Sequence, residues 1–210
     1  KGNWGAGDTP LAKLYATVCG VPWVPPTIAA KDPILDLPPE YLVVHTTSHP
    51  FRNYYRFHQA LRGCSVPVVQ IGGSDDVPLG DSSHHEGVIK TDISANKFDY
   101  IDLRGKLSYR ETAWVLLHAK GFVGIDSFPM HCAGLYNIPM VVTFGCGSAR
   151  TTGALTAAPH IWVEPDYSTI CPMLGPCSGT FNCNDPCGPR HDPMVVRQAI
   201  GQIMPWAFPD

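Results

Sequence analysis

From Tyr41 onward the chain alternates short apolar runs with segments of helical spacing, and this rhythm restricts the fold more than any other feature. The runs are "YLVVH", "VPVVQIGG", "FDYIDLRG", "GFVGI", "PMVVTFG" and "HIWVEP", each bounded by Gly, Pro or polar residues and too short to be a buried helix. Between them "FRNYYRFHQALRG", "SYRETAWVLLHAKG" and the segment after "DSFP" read as helices, and "DPMVVRQAIGQIM" closes as another. In "SYRETAWVLLHAKG", Ser108 and Glu111 make a capping box and Gly121 reads as the stop signal. "DSSHHEGVIKTD" reads as loop with a brief strand. Strands that alternate with helices join through right-handed crossovers, which implies a parallel sheet covered on both faces.

In such a sheet, ligands bind beyond the carboxyl ends of the strands, where the strand order reverses. The polar residues gather there: Thr46 and Thr47 after the first run, Asp75 and Asp76 after the second, and Asp126, Ser127 and His131 after "GFVGI". In "GIDSFPMHCAG", Asp126 and Ser127 can cap a helix start and Pro129 suits its first turn. His131 follows Ser127 by four residues, so both can face one side of that turn. A helix N-terminus with a hydroxyl and an imidazole is an anion site in outline. Adding the Thr46–Thr47 hydroxyls and the nearby Arg52 suits a phosphate, and the Asp75–Asp76 carboxylates suit a pair of sugar hydroxyls. The ligand expected is a nucleotide or nucleotide-sugar. The sequence has no GxGxxG, no GxxxxGK[ST] and no GxSxG elbow, which disfavours a nicotinamide dehydrogenase, a P-loop NTPase and an α/β-hydrolase.

Charge narrows the partners further. The net charge is −3 with no basic block, so nucleic acid and anionic membranes are poor partners. No apolar run is long enough to span a bilayer, and the start, which is Lys1 and not Met, does not read as a signal peptide. The 210 residues suit one domain with an extension. The boundary expected is a Pro/Gly-rich extension or inter-domain stretch over 1–40 and an α/β domain over 41–210, with a Cys-rich segment at 171–187. "GNWGAGD" looks like a phosphate loop, but no strand precedes it.

From Tyr41 to about Met204 the sequence resembles the carboxyl-terminal half of the heptosyltransferase-like glycosyltransferases, family 9. The residues that carry the resemblance are "VVHTTS", "FRNYYRFHQAL", "VVQIGG", "DLRGKLSYRETAWVLLHAKGFVGIDSFPMHCAG" and "IPMVVTFG". The resemblance implies a Rossmann-like parallel sheet with helices on both faces, half of a GT-B fold, that binds a nucleotide-diphosphate sugar for transfer to a hydroxyl acceptor. It implies that Thr46, Thr47, Ser127 and His131 hold phosphate and that Asp75 or Asp76 reaches the ribose. Arg52 would neutralise charge on the leaving nucleotide, and Asp126 would fix its turn or contact the sugar. Phe128 stands where the family usually has Gly, so its ring narrows the phosphate pocket or stacks on the ligand. No metal is required for such a transfer, and the compartment implied is the cytoplasm, that of a host cell if the chain is viral.

About forty residues precede Tyr41, too few for the amino-terminal domain that carries the acceptor site and catalytic base in this family. Asp8 echoes that domain's Gly-Asp turn without its strand. An acceptor domain would therefore come from another chain or from a segment upstream. The alternative is a non-catalytic binding or structural module derived from such an enzyme, as a component of an assembly such as a virion.

Cys171, Cys177, Cys183 and Cys187 form a cluster whose spacings differ from the tight pairs of common zinc sites. Structural zinc, disulfides and reduced thiols all stay open for it. Cys19, Cys64, Cys132 and Cys146 are scattered and read as small buried apolar residues. His84, His85 and Glu86 sit on a polar loop and read as solvated rather than metal-binding. His45 and His49 flank the first turn and could assist phosphate binding, His118 reads as a core histidine, and the Tyr54–Tyr55 pair as packing.

Overall fold

The computed structural model describes residues 16–22, 24, 26–48, 56–79, 99–145, 149–165 and 191–209. The six apolar runs form strands β1 (Leu42–Val44), β2 (Val68–Gln70), β3 (Tyr100–Asp102), β4 (Gly121–Ile125), β5 (Met140–Thr143) and β6 (His160–Val163). Helices α1 (Phe57–Ala60), α2 (Tyr109–Leu117), α3 (Phe128–Leu135), α4 (Ala149–Thr152) and α5 (Pro193–Ile203) lie between and after them. The sheet is parallel, in the order β3-β2-β1-β4-β5-β6. The fold is therefore the Rossmann-like α/β sheet that the sequence implied.

Residues along each strand alternate between two cores, because successive side chains point to opposite faces. Leu42, Val44, Val68, Val123 and Ile125 pack on one side with Phe57 and Leu61, and with Val196 and Ile200 of α5. Val43, Val69, Phe122 and Val142 pack on the other with Val115 and Leu116 of α2 and Met130 and Ala133 of α3. Two covered faces explain why β1 and β4 are apolar throughout instead of alternating.

The Ser108–Glu111 capping box forms, with Ser108 Oγ accepting from the Glu111 N–H and the Glu111 carboxylate accepting from the Ser108 N–H at 2.9 Å. Two expectations nearby need correction. Gly121 does not stop α2, which ends at Leu117 with His118 as its C-cap; Gly121 is the first residue of β4. It is glycine because a Cβ there would lie 2.5 Å from Met204 Sδ and 3.1 Å from Leu42 Cδ1. His118 is exposed, not a core histidine: its Nδ1 lies 2.8 Å from the Trp114 carbonyl oxygen and its ring rests 4.0 Å from the indole. Of the scattered cysteines, Cys64 and Cys132 are buried thiols, and burial pushes Cys132 up to about 12; Cys19 is exposed, and Cys146 lies outside the described residues.

The segment over 28–37 runs along α2 and α3. The Lys31 N–H donates to the Arg110 carbonyl at 3.0 Å, Arg110 Nε to that of Ala29 at 2.9 Å, and the Tyr136 hydroxyl to that of Ile28 at 2.9 Å. Ile28, Ala30 and Leu37 pack against the second core. Among the described residues no helix is long and apolar enough to cross a membrane.

Candidate ligand cleft

β1 and β4 are neighbours, yet the chain leaves β1 toward β2 and β3 and leaves β4 toward β5 and β6. The connections diverge at that point, so the carboxyl ends of β1 and β4 open a crevice. A cleft of about 440 Å³ occupies it. One wall is the turn after β1, with His45, Thr47 and Ser48; another is the turn after β2, with Gly72, Gly73 and Asp76. The starts of two helices complete it, with Leu107, Ser108, Tyr109 and Thr112 at α2 and Ser127, Phe128 and Pro129 at α3.

His45 links three of these walls. It is 6 % exposed, and its Nδ1 lies 3.0 Å from Ser127 Oγ. Ser127 Oγ donates to the Ile125 carbonyl at 3.1 Å, so it accepts from His45 Nδ1–H, which leaves the imidazole lone pair on Nε2. Burial pushes this imidazole down to about 4, so it is neutral at neutral pH. Asp76 Oδ2 stands 3.9 Å from Nε2, beyond a hydrogen bond. With a neutral imidazole this is a polar contact and not an ion pair.

Asp76 is held by its own turn. Oδ2 accepts from the Gly73 N–H at 2.8 Å, and a Cβ on Gly72 would overlap that oxygen. Gly72 also sits at φ +148, which side chains rarely adopt. Burial raises the Asp76 carboxyl, against the opposing pull of the Gly73 N–H and of Arg104. Arg104 grips Asp102 through Nε–Oδ1 at 2.9 Å and Nη2–Oδ2 at 2.7 Å and also donates to the Asp76 carbonyl, which ties this turn to the end of β3.

The residues expected to bind ligand fall into three groups. Thr47, Asp76, Ser127 and Phe128 line the cleft. Thr46, Asp75, Asp126 and His131 do not. Thr46 is buried and accepts from Gln70 Nε2 at 3.1 Å; Asp126 is buried and accepts from the Thr152 hydroxyl at 2.9 Å, which suits fixing the turn. Asp75 is exposed beside Ser74, and His131 is exposed on the first turn of α3. Arg52, His49, Tyr54, Tyr55, His84, His85 and Glu86, together with the cluster Cys171, Cys177, Cys183 and Cys187, lie outside the described residues. Among the described residues no group of three metal-ligating side chains occurs.

Ser127 also departs from its expected role. It occupies the N-cap position of α3 but makes no capping bond, its hydroxyl being engaged by Ile125 and His45. The start of α3 is thus left without a side-chain cap, next to the cleft. Phe128 is 37 % exposed and meets Tyr109 edge to face at 5.2 Å, so its ring forms an apolar rim and leaves the cleft open. No described residue of the extension lines the cleft.

Sequence reasoning missed the contribution of α2. Leu107, Ser108, Tyr109 and Thr112 were legible as a helix start, but nothing local says that this start faces the same crevice as α3. The lone polar residue closing the run "VPVVQ" was the available sign for Gln70.

The geometry defines a Rossmann-like α/β domain of the kind that makes half of a GT-B fold, with a cleft at its switch point. Residues 73–171 match the model of glycosyltransferase family 9 (heptosyltransferase), and over that segment the chain is similar to that family. The glycosyltransferase of family 9 from Veillonella parvula DSM 2008 is 14 % identical, with a TM-score of 0.55 over 91 % of this chain and 49 % of that one. The iron-containing dodecameric glycosyltransferase TibC of enterotoxigenic E. coli H10407 is 16 % identical, with a TM-score of 0.51 over 84 % and 47 %. For E. coli ADP-heptose lps heptosyltransferase II the values are 18 %, 0.50, 62 % and 40 %. These likenesses show the fold, and the chain spans less than half the length of each of those proteins. No curated protein matches the sequence.

Proposed function

We propose that this domain binds a nucleoside-diphosphate sugar and supplies the donor half of a heptosyltransferase-like glycosyltransferase. The observation that carries the reading is the cleft at the β1/β4 switch point, where the uncapped start of α3 meets the hydroxyl of Thr47. A helix N-terminus carries roughly half a positive charge, which favours a diphosphate there. Asp76, which lines the cleft with one oxygen on Gly73, is the carboxylate proposed for sugar hydroxyls, and the rings of Tyr109 and Phe128 are the proposed apolar contacts for a base or sugar. The chemistry required of this half is to stabilise charge on the departing diphosphate. The acceptor and its base would come from elsewhere, on another chain or a further segment, and Arg52 is the proposed counter-charge for the leaving nucleotide.

A second reading, a non-catalytic binding module, is favoured by one observation. Among the described residues that line the cleft none is Lys or Arg. Calorimetric titration with ADP, UDP and GDP tests the first reading. Micromolar binding of one of them, weakened at least about tenfold in Thr47→Val by loss of a hydroxyl contact to a charged group, is the expected result. Absence of binding by all three would overturn the donor-site reading and leave the module. Tight binding with no release of sugar from the matching nucleotide-sugar under any added acceptor would also favour the module.

A further inference from the structure

Gln70 ends β2 with its side chain fully buried, and its amide fits only one way round. The Val77 carbonyl can only accept and the Leu79 N–H can only donate, so Nε2 faces the former at 2.9 Å and Oε1 the latter at 2.6 Å. The Tyr100 hydroxyl donates to the same Oε1 at 2.6 Å, and the second Nε2 proton goes to Thr46 Oγ1 at 3.1 Å. Both amide protons and both lone pairs of the oxygen are thereby used.

Direction then propagates outward. Thr46 Oγ1, having accepted from Gln70, has one proton to place. Thr47 Oγ1 is the nearer acceptor at 3.2 Å; the Val77 oxygen is 3.5 Å away and already accepts from Gln70. Taking the shorter contact, Thr47 receives the hydrogen bond from Thr46, with the Val77 oxygen as the competing acceptor, and its own proton then has no partner among the described residues. Thr46 stays outside the cleft and Thr47 lines it.

We propose that Gln70 is a positioning residue: it polarises the Thr46–Thr47 hydroxyl chain so that Thr47 presents a fixed donor to an acceptor oxygen of the ligand. The proposal rests on the nucleoside-diphosphate reading of the cleft and deepens it, since a fixed donor selects an oxygen that accepts, as phosphate does, over a hydroxyl that must donate. It also explains two adjacent threonines at a strand end: one carries the direction and the other delivers the proton.

Gln70→Glu is the discriminating variant, because it nearly preserves shape. When ionised, the introduced carboxylate still accepts from Leu79 and Tyr100 but cannot donate. Thr46 then turns its proton to the carboxylate, Thr47 turns its own to Thr46, and the cleft loses its donor. When protonated, the introduced carboxyl has one proton to share between the Val77 oxygen and Thr46 Oγ1, so the direction is restored in part; burial raises such a group into an accessible range. The test is calorimetry of the whole chain with ADP, UDP and GDP from about pH 5 to 8, on the native protein, Gln70→Glu and Thr46→Val, with the variant-to-native ratio taken at each pH. For the nucleotide that binds, Gln70→Glu should be weaker by about tenfold or more at the alkaline end and recover toward the native value at the acid end. Thr46→Val should be weakened comparably at every pH. Loss in Gln70→Glu without acid recovery would reduce Gln70 to a structural residue and overturn the proposal. If Gln70→Glu does not fold, native affinity in Thr46→Val would overturn it and weakening would support it. No binding by the native chain would sink the nucleotide reading and this proposal together, whereas native binding with both variants unchanged would sink this proposal alone.

Discussion

His45 carries the most information of any single residue in this chain. Its imidazole sits at about 4 in the fold against 6.5 when free, because burial disfavours the charged form. Between those values the unfolded chain binds a proton that the folded chain does not, so stability rises with pH across that window and is lost on acidification. The full shift corresponds to about 3 kcal/mol at most. Thermal unfolding followed from about pH 7 down to 4 should show the midpoint falling, and His45→Gln should flatten that fall. His191, also lowered by burial, adds a smaller slope of the same sign that the variant keeps. Asp76 acts oppositely, since a raised carboxyl gains relative stability as it is protonated. An equal slope in native protein and His45→Gln would show that His45 is not neutral in the fold.

At the scale of elements, packing sets the predictions. Gly121→Val would drive side-chain atoms into Met204 and Leu42, and overpacking of this kind costs about 1–3 kcal/mol, readable in urea unfolding as a lower midpoint. Phe122→Ala, at a fully buried site in the second core, should cost about 3–5 kcal/mol by the same measurement. Asp192→Ala removes the side chain that accepts from the Met194 N–H at the start of α5 and should cost about 1 kcal/mol. These elements were legible in the sequence because their causes are local: the six apolar runs became the six strands, and the capping box formed where its spacing placed it. The misreadings have non-local causes. Ser127 fails to cap because His45, 82 residues away in sequence, engages its hydroxyl. Thr46 misses the cleft because neighbouring residues at a strand end face different ways, and Gln70 engages the inward one. Gly121 looked like a helix stop, yet what demands glycine there is the close approach of Met204, a residue distant in sequence.

For the whole molecule, the cleft is where two diverging connections meet, so a ligand held there bridges the halves of the sheet on either side of β1 and β4. Binding to the native state alone stabilises by mass action, about 2.7 kcal/mol at a hundredfold excess over Kd, which in a chain of this size raises Tm by about 5 °C or more. The nucleotide found by calorimetry should produce that rise, and a nucleotide that does not bind should leave Tm unchanged. The fold itself came from rhythm alone, but the family match begins only at residue 73, after β1 and β2. The walls contributed by His45 and Thr47 lie before that match, and it is the polar turn after the first apolar run that marks them in the sequence.

The turn after β2 has one more consequence, in time instead of energy. Its Leu79 N–H ends on the buried oxygen of Gln70, so the turn is fastened to the interior at its far end. Surface turns ordinarily exchange amide protons by small local openings. Here the Leu79 proton can reach solvent only when the end of β2 comes apart, so it should persist in deuterated buffer about as long as the protons of the sheet, a slow clock set inside a loop.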